Sequence, residues 1–226
     1  MISIILPVVR EEKAKRCMEL IKKNAGVTDY EIVTAVDENR IGCPKMVKQL
    51  VDACHGEYVC FLGDDTLPQP DFLKNALMYM WDNLPDQWGL VGLNDGTNRD
   101  LPCHWLAHKN LLDHLENREF FYTGYTHCYC DMELRDKAEA LGRYGYCKDA
   151  VVIHEHPALD KSVPMDEDYE RIYKEEIKGK DRNLYFERKL GYKVNVTEVV
   201  CKAVHKCPDC GKVMPCNMTT NVIRKL

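Results

Sequence analysis

The residues best suited to chemistry stand together in Phe61-Leu62-Gly63-Asp64-Asp65-Thr66, where two adjacent carboxylates follow an apolar run and a glycine. Adjacent carboxylates on a tight turn repel each other unless a cation lies beside them. A hard divalent ion, Mg²⁺ or Mn²⁺, suits one or two such groups completed by substrate phosphates. Taken alone, the pair reads equally well as a solvated turn or as the cap of the following helix. A second constellation lies near the C-terminus, where Cys207-Pro208-Asp209-Cys210-Gly211-Lys212 holds two thiols separated by two residues, with a glycine that lets the backbone turn under a metal. Cys216 supplies a third ligand and His205 or Cys201 a fourth, so a Zn²⁺ bound there is expected to be structural. The other reading of these cysteines is a set of free thiols. Between the two constellations lie Asp131 and Glu133 at the start of a charged helical segment, and His154 and His156 after a short apolar run. His104, Trp105, Phe120, Phe121, Tyr122 and Tyr125 read either as a stacking platform for a sugar or base, or as a buried wall.

The elements that must position these groups follow from periodicity. Ile2 to Leu6 is a continuous β-branched run stopped by Pro7, the pattern of a buried parallel strand. Glu12 to Asn24 carries Ala14, Cys17, Met18 and Ile21 at helical spacing and is closed by Gly26. Tyr30 to Val36 predicts a second strand ending at Asp37, Lys45 to Cys54 a second helix, and Tyr58 to Leu62 a third strand. Each helix is long enough for a right-handed crossover between parallel strands. Ligands of such sheets gather beyond the carboxyl ends of the strands, where Pro7 to Arg10, Asp37 and Asp64-Asp65 all fall. Further along, the pattern predicts a helix over Asp71 to Trp81 with Asp71 as N-cap, a strand over Leu90 to Leu93, and a helix over Asp131 to Gly142. It also predicts an irregular, aromatic-rich stretch over 94–130 and a strand over Ala150 to Ile153. Asp166 to Leu190 reads as a charged helical pair interrupted near Gly179-Lys180-Asp181.

Composition narrows the function classes. With 226 residues, 45% hydrophobic and 30% charged, the chain suits one substantial α/β domain and a small appendage rather than disorder. A net charge of -5 argues against attachment to nucleic acid by bulk charge. The tail is locally basic, with Lys202, Lys206, Lys212, Arg224 and Lys225 against the single acid Asp209. Met1 to Val9 lacks the basic start of a secretory signal, and no run approaches the length of a membrane span. The twelve cysteines are therefore expected to be reduced and the protein cytoplasmic, in a bacterium or a virus-infected host cell.

The stretch from Gly56 through Phe61-Leu62-Gly63-Asp64-Asp65-Thr66 to Leu73 closely resembles the donor-site segment of family 2-type glycosyltransferases with the GT-A fold. The opening Ile4-Ile5-Leu6-Pro7-Val8-Val9-Arg10 and the strand ending at Asp37 resemble it too, in the family's order and spacing over roughly 1–160. The resemblance implies an α/β fold with a Rossmann-like mixed sheet flanked by helices over 1–198, and the cysteine-rich, zinc-binding tail occupies 199–226. It implies that Pro7, Val9 and Arg10 line the nucleotide pocket, that Asp37 binds base or ribose, and that Asp65 matches the last, metal-holding acid of the family's Asp-X-Asp motif. Asp64 takes the middle position of that motif and supports the nucleotide-sugar, while Gly63 stands where the first acid usually lies. Cys130-Asp131-Met132-Glu133 resembles the start of the acceptor-side helix, which makes Asp131 the general base, with Glu133 as second choice. His154 matches a histidine that completes the metal site, with His156 as a substitute. The implied activity is inverting transfer from a nucleotide-sugar, a UDP-sugar by expectation, with Mn²⁺ or Mg²⁺, to a hydroxyl of a glycan precursor or of a hydroxylated base in DNA. The competing readings are a catalytically inactive fold of this type serving as a zinc-bearing nucleic-acid or protein-binding module, and a nucleotidyltransferase, which releases pyrophosphate.

Overall fold

The computed structural model describes residues 1–97 and 99–194, together with 204–206 and 213–215. The chain divides into two compact units, Met1–Asn183 and Leu184–Leu226. The first contains β1 (Ile2–Val8), α1 (Glu11–Asn24), β2 (Tyr30–Val36), α2 (Cys43–Asp52), β3 (Tyr58–Phe61), β4 (Thr66–Pro68), α3 (Phe72–Asn83), β5 (Leu90–Asn94), β6 (Trp105–His108), α4 (Cys130–Ala140), β7 (Tyr144–His154) and α5 (Glu167–Ile172). A further helix, α6 (Glu175–Val194), begins in this unit and ends in the second.

Seven strands form one mixed sheet in the order β2-β1-β3-β6-β5-β7-β4. The first three are parallel, as the β-α-β-α-β pattern requires, and β5 runs parallel to β7. The β6 strand is antiparallel to both of its neighbours, and the short β4 is antiparallel to β7. The core forms because β1 is apolar on both faces and almost wholly buried, while α1 contributes Ala14, Cys17 and Ile21 from one face. Glu11 and Glu12 in the first turn of α1 and Lys22 and Lys23 in its last turn complement the helix dipole. Gly26 has a φ of +72°, and a Cβ there would lie 2.5 Å from Asp71 Oδ1, so no larger residue fits between α1 and α3.

Several sequence expectations are corrected. Asp71 holds the N-cap position of α3, but it sits in the left-handed region at φ 61°, close against Gly26, and its side chain makes no cap bond. The stretch 94–130 is not wholly irregular, since Trp105 to His108 form β6. All four of its residues are buried, so no polar alternation marked it as a strand. The β7 strand begins at Tyr144 rather than Ala150, with a register irregularity opposite Leu93/Asn94 that breaks its pattern. The helical pair near the end breaks at Tyr173-Lys174, not at Gly179-Lys180-Asp181. Asp181 instead points inward and is fully buried, accepting the amides of Thr126, His127 and Cys128 at 2.9, 2.8 and 2.8 Å. A carboxylate with three amide donors is satisfied without solvent, so the helix continues through it. Among the described residues no helix is long and apolar enough to cross a membrane.

One surface cluster ties the parallel strands together and gives an acid-stability prediction. Glu31 on β2 accepts from the Ser3 hydroxyl at 2.6 Å and the His55 amide at 2.7 Å, and Ser3 in turn accepts the Gly56 amide. The Ser3 hydroxyl and then the His55 amide hold the Glu31 carboxyl down at about 2, below its ordinary 4.5. A depressed carboxyl stabilises the fold above its unfolded pKa and loses that contribution as pH falls through the folded value. Urea unfolding of Glu31→Gln against the unmodified protein should therefore show a stability difference at pH 6 that disappears between pH 4.5 and 2. A difference independent of pH would contradict this.

Within the second unit, β8 (Val204–Lys206) pairs antiparallel with β9 (Val213–Pro215). Cys201, Cys207, Cys210 and Cys216 lie outside the described residues, and His205 is described only as part of the β8 backbone.

Candidate active site

At the carboxyl ends of β1 and β3 a cleft of 430 Å³ opens. Pro7, Val9, Arg10, Asp37, Asp64, Asp65, Asp131 and His154, widely spaced in sequence, all line it. One side of it is built by the turn from β1 into α1. Here the amides of Val9 and Arg10 point away from the sheet and both donate to Asp64 Oδ2 at 2.7 Å. Arg10 extends over the acidic turn, with Nη1 at 3.3 Å from Asp64 Oδ1 and 4.0 Å from Asp65 Oδ2. Its other edge meets Asp166, with Nε at 2.6 Å and Nη2 at 3.1 Å, and its guanidinium lies 4.0 Å from the Tyr169 ring centroid. Burial opposes the Arg10 charge, but Asp166, Asp64, Tyr169 and Asp65 outweigh it and keep the guanidinium firmly protonated.

Asp37 is buried at the end of β2, and its two oxygens accept the amides of Ile41 at 2.8 Å and Gly42 at 3.0 Å. The carboxylate thus closes its own loop, leaving only its remaining lone pairs for a ligand. Gly42 is at φ +96°, and a Cβ there would lie 2.5 Å from the Thr126 carbonyl, so this loop can approach the opposite wall only through glycine.

The two acids of the turn are in different electrostatic states. Burial and the charge of Asp65 push the Asp64 carboxyl up, against the Val9 and Arg10 amides. Burial also acts to raise Asp65, but the His154 imidazole, and after it the Tyr169 hydroxyl, hold it well below the usual carboxylate range. Asp65 Oδ1 lies 3.4 Å from His154 Nε2, and Asp65 Oδ2 accepts from the Tyr169 hydroxyl, which also reaches the Glu155 carbonyl at 3.1 Å. Adjacent ligands of one six-coordinate Mg²⁺-type ion lie about 3 Å apart when its bonds are near 2.1 Å. The Asp65–His154 separation fits two ligands of one such ion. Among the described residues no three His, Cys, Asp or Glu side chains are grouped to hold a metal by themselves. Asp65 and His154 are thus the candidate pair for a two-ligand site, the kind that diphosphate oxygens and water complete.

His156 has partners of its own. Its Nε2 lies 2.9 Å from the Tyr173 hydroxyl and its Nδ1 accepts the Ala158 amide at 3.0 Å, so both nitrogens are taken. Burial and the His154 charge press its pKa down to about 4. His104, beside the acidic turn, is pressed down to about 3, chiefly by burial and then by His154.

On the opposite side, Asp131 lies in the first turn of α4 and faces the cleft, accepting from the Met132 amide at 2.9 Å and the Cys103 thiol at 3.5 Å. The N-cap position itself belongs to Tyr129. Glu133 turns into the interior instead, where it receives the Tyr125 hydroxyl at 2.5 Å and pairs with Lys137 Nζ at 2.5 Å. Removing one partner of a buried ion pair leaves the other charge uncompensated. Glu133→Gln is thus expected to cost about 3–5 kcal/mol in urea unfolding, while Asp131→Asn leaves the midpoint nearly unchanged; equal destabilisation by both would refute this separation.

Trp105, Phe120 and Phe121 form a buried wall with Phe61, whose ring centroid lies 5.5 Å from Trp105 and 5.3 Å from Phe121. The thiols of Cys43, Cys103, Cys128 and Cys130 also border the cleft, and burial raises the pKa of each, which keeps them protonated. Asp166, the N-cap of α5, and Asp168 and Tyr169 within it reach Arg10 and Asp65 across more than a hundred positions of sequence. No spacing rule could have joined them.

No protein-family profile and no curated protein sequence matches the chain. Solved structures do. A mannosyltransferase from Pyrobaculum calidifontis in complex with GDP-Man and Mn²⁺ is 16% identical with a TM-score of 0.54, over 68% of this chain and 56% of its own. TarS 1-349 from S. aureus in complex with UDP is 16% identical with a TM-score of 0.52, over 87% of this chain and 75% of its own. Glucosyl-3-phosphoglycerate synthase from Mycobacterium tuberculosis in complex with Mn²⁺ and UDP-Glc is 13% identical with a TM-score of 0.54, over 95% and 86%. The chain spans little more than half the length of the mannosyltransferase. The mixed seven-stranded sheet flanked by helices is thus a fold shared with nucleotide-sugar glycosyltransferases, consistent with GT-A.

Proposed function

We propose that the protein is a metal-dependent, inverting glycosyltransferase that moves a sugar from a nucleotide-sugar, with a UDP-sugar as first choice, to an acceptor hydroxyl. The observation that carries this reading is the meeting of Asp64-Asp65, His154 and Asp131 in one cleft at the strand ends. The shared fold supports it, since structures of that fold hold GDP-Man, UDP and UDP-Glc with Mn²⁺ or Mg²⁺.

In this reading Pro7, Val9 and the Asp37 loop receive the nucleotide. Asp65 and His154 would hold a divalent ion, with Asp64 anchoring the Val9-Arg10 turn beside them. The chemistry a bound ion supplies there is Lewis-acid stabilisation of charge on the leaving diphosphate. Arg10 adds a fixed positive charge at the same place, already oriented by Asp166 and Tyr169. Asp131 takes the acceptor's proton as the hydroxyl oxygen attacks the anomeric carbon from the face opposite the diphosphate, which inverts the configuration. Glu133 holds α4 in place through Lys137 and Tyr125. The acceptor is a glycan precursor or a hydroxylated base in DNA, and the two are separated by assay.

A binding-only role is the second reading. Gly63 in place of the motif's first acid favours it, as do the partners already on Asp64 and Asp65. Calorimetric titration with UDP and GDP, with and without Mn²⁺, tests the donor site: micromolar binding strengthened by the ion is expected. A protein that binds neither nucleotide lacks the site.

The tail, taken as residues 199–226, is proposed to bind one structural Zn²⁺ through Cys207, Cys210, Cys216 and His205, with Cys201 as the alternative fourth ligand. The antiparallel β8–β9 pair, flanking Cys207-Pro208-Asp209-Cys210-Gly211-Lys212, supports a knuckle there. Purified protein should carry one zinc per chain, released by a thiol-blocking reagent and lost in Cys207→Ser/Cys210→Ser. Metal-free protein with an unchanged melting profile would overturn the assignment.

A further inference from the structure

His104 stands just before β6, where its carbonyl accepts the Leu93 amide at 2.9 Å and its ring lies against the acidic turn. The Gly63 amide donates to its Nδ1 at 3.4 Å, which leaves the proton of the neutral ring on Nε2. That Nε2 is buried and has no hydrogen-bond partner among the described residues, although His104 lines the cleft. Buried polar groups are nearly always paired, so an orphaned N–H in a cleft wall points to a ligand that supplies the acceptor. The departure at Gly63 is what makes room for the ring. A Cβ at position 63 would lie 3.3 Å from His104 Cε1 and 2.7 Å from Asp65 Oδ1.

The neighbours of His104 locate that ligand. On one side are Asp65 and His154, whose ring centroid is 4.8 Å from that of His104. On the other is Cys103, whose thiol meets Asp131 at 3.5 Å. Resting on the donor-site reading above, the bond that breaks lies at the diphosphate beside Asp65, and the bond that forms lies beside Asp131. Both share one sugar carbon, so the transferred sugar occupies the space between them, over His104. We propose that His104 is a specificity-determining residue of the donor site, whose Nε2–H donates a hydrogen bond to a hydroxyl of the transferred sugar.

Calorimetric titration in Mn²⁺ buffer with UDP, UDP-glucose, UDP-N-acetylglucosamine, GDP and GDP-mannose tests this. The proteins compared are wild type, His104→Asn, which keeps an acceptor near the Gly63 amide but no distal donor, and His104→Gln, which restores a donor near the Nε2 position. The best-bound sugar nucleotide should weaken about tenfold in His104→Asn and recover to within about threefold in His104→Gln, while the parent diphosphate stays unchanged. His104→Phe, which keeps the ring volume against Phe61 without either nitrogen, gives the same contrast if the Asn protein does not fold. Equal weakening of diphosphate and sugar nucleotide, or no change in either, overturns the role of His104 and leaves the donor site standing. A wild-type protein that binds no nucleotide refutes the donor site, and this proposal with it.

Discussion

Asp65→Ala is expected to abolish Mn²⁺-dependent turnover of the nucleotide-sugar, with a loss of about 10³-fold or more in kcat/KM. The size of the effect follows from convergence. Asp65 is buried, and His154, Tyr169 and the edge of Arg10 all address its carboxylate. Those contacts hold it ionised well below the usual carboxylate range, so it presents a full negative charge throughout the working pH range. Asp64→Asn should cost far less, because its main partners are the Val9 and Arg10 amides, and an amide oxygen still accepts from them. Mn²⁺ affinity measured by electron paramagnetic resonance should fall in Asp65→Ala and survive in Asp64→Asn. Equal loss in both variants would mean that the pair acts as one unit and that the assignment of the metal to Asp65 is wrong.

Asp131→Asn carries the second-largest expected effect, a fall of about 10²–10⁴-fold in kcat for transfer, the range general-base catalysis supplies. Nucleotide binding should be unchanged, since the Asp131 side chain meets the Met132 amide and the Cys103 thiol rather than the Asp64-Asp65 turn. Loss of kcat with an intact UDP titration separates a base from a binding residue. If Glu133→Gln reduces kcat as much as Asp131→Asn while retaining full stability, the base has been misassigned to Asp131.

The fold was most legible where local pattern and burial coincide. The run Ile2 to Leu6, the helix face through Ala14, Cys17 and Ile21, and the strand before Gly63 read directly from spacing, and they place Pro7, Arg10, Asp37 and Asp64-Asp65 at one edge of the sheet. Legibility failed where tertiary contact decides. Trp105 to His108 is buried on both faces between β3 and β5, so it shows no alternation. Asp181 resembles a helix break in sequence, yet its charge is satisfied by amides more than fifty residues away. Glu133 and Asp131 are two positions apart in one helix, and such residues do not share a face. Only the three-dimensional structure separates the one that meets Lys137 from the one that meets the cleft. The orphaned nitrogen of His104 and the contacts of Tyr169 had no signature in the sequence at all.

The account is tested most directly by incubating the protein with Mn²⁺ and UDP-glucose, UDP-N-acetylglucosamine or GDP-mannose and identifying the phosphorus-containing product by ³¹P NMR. Simple glycans and hydroxymethylated DNA serve as acceptors in separate arms. Release of a nucleoside diphosphate that requires the divalent ion, rises with one acceptor and disappears in Asp65→Ala is the predicted result. Release of a sugar 1-phosphate in place of the nucleoside diphosphate would identify nucleotidyl transfer instead, and no product from any donor by a protein that binds no nucleotide would contradict the proposed function outright.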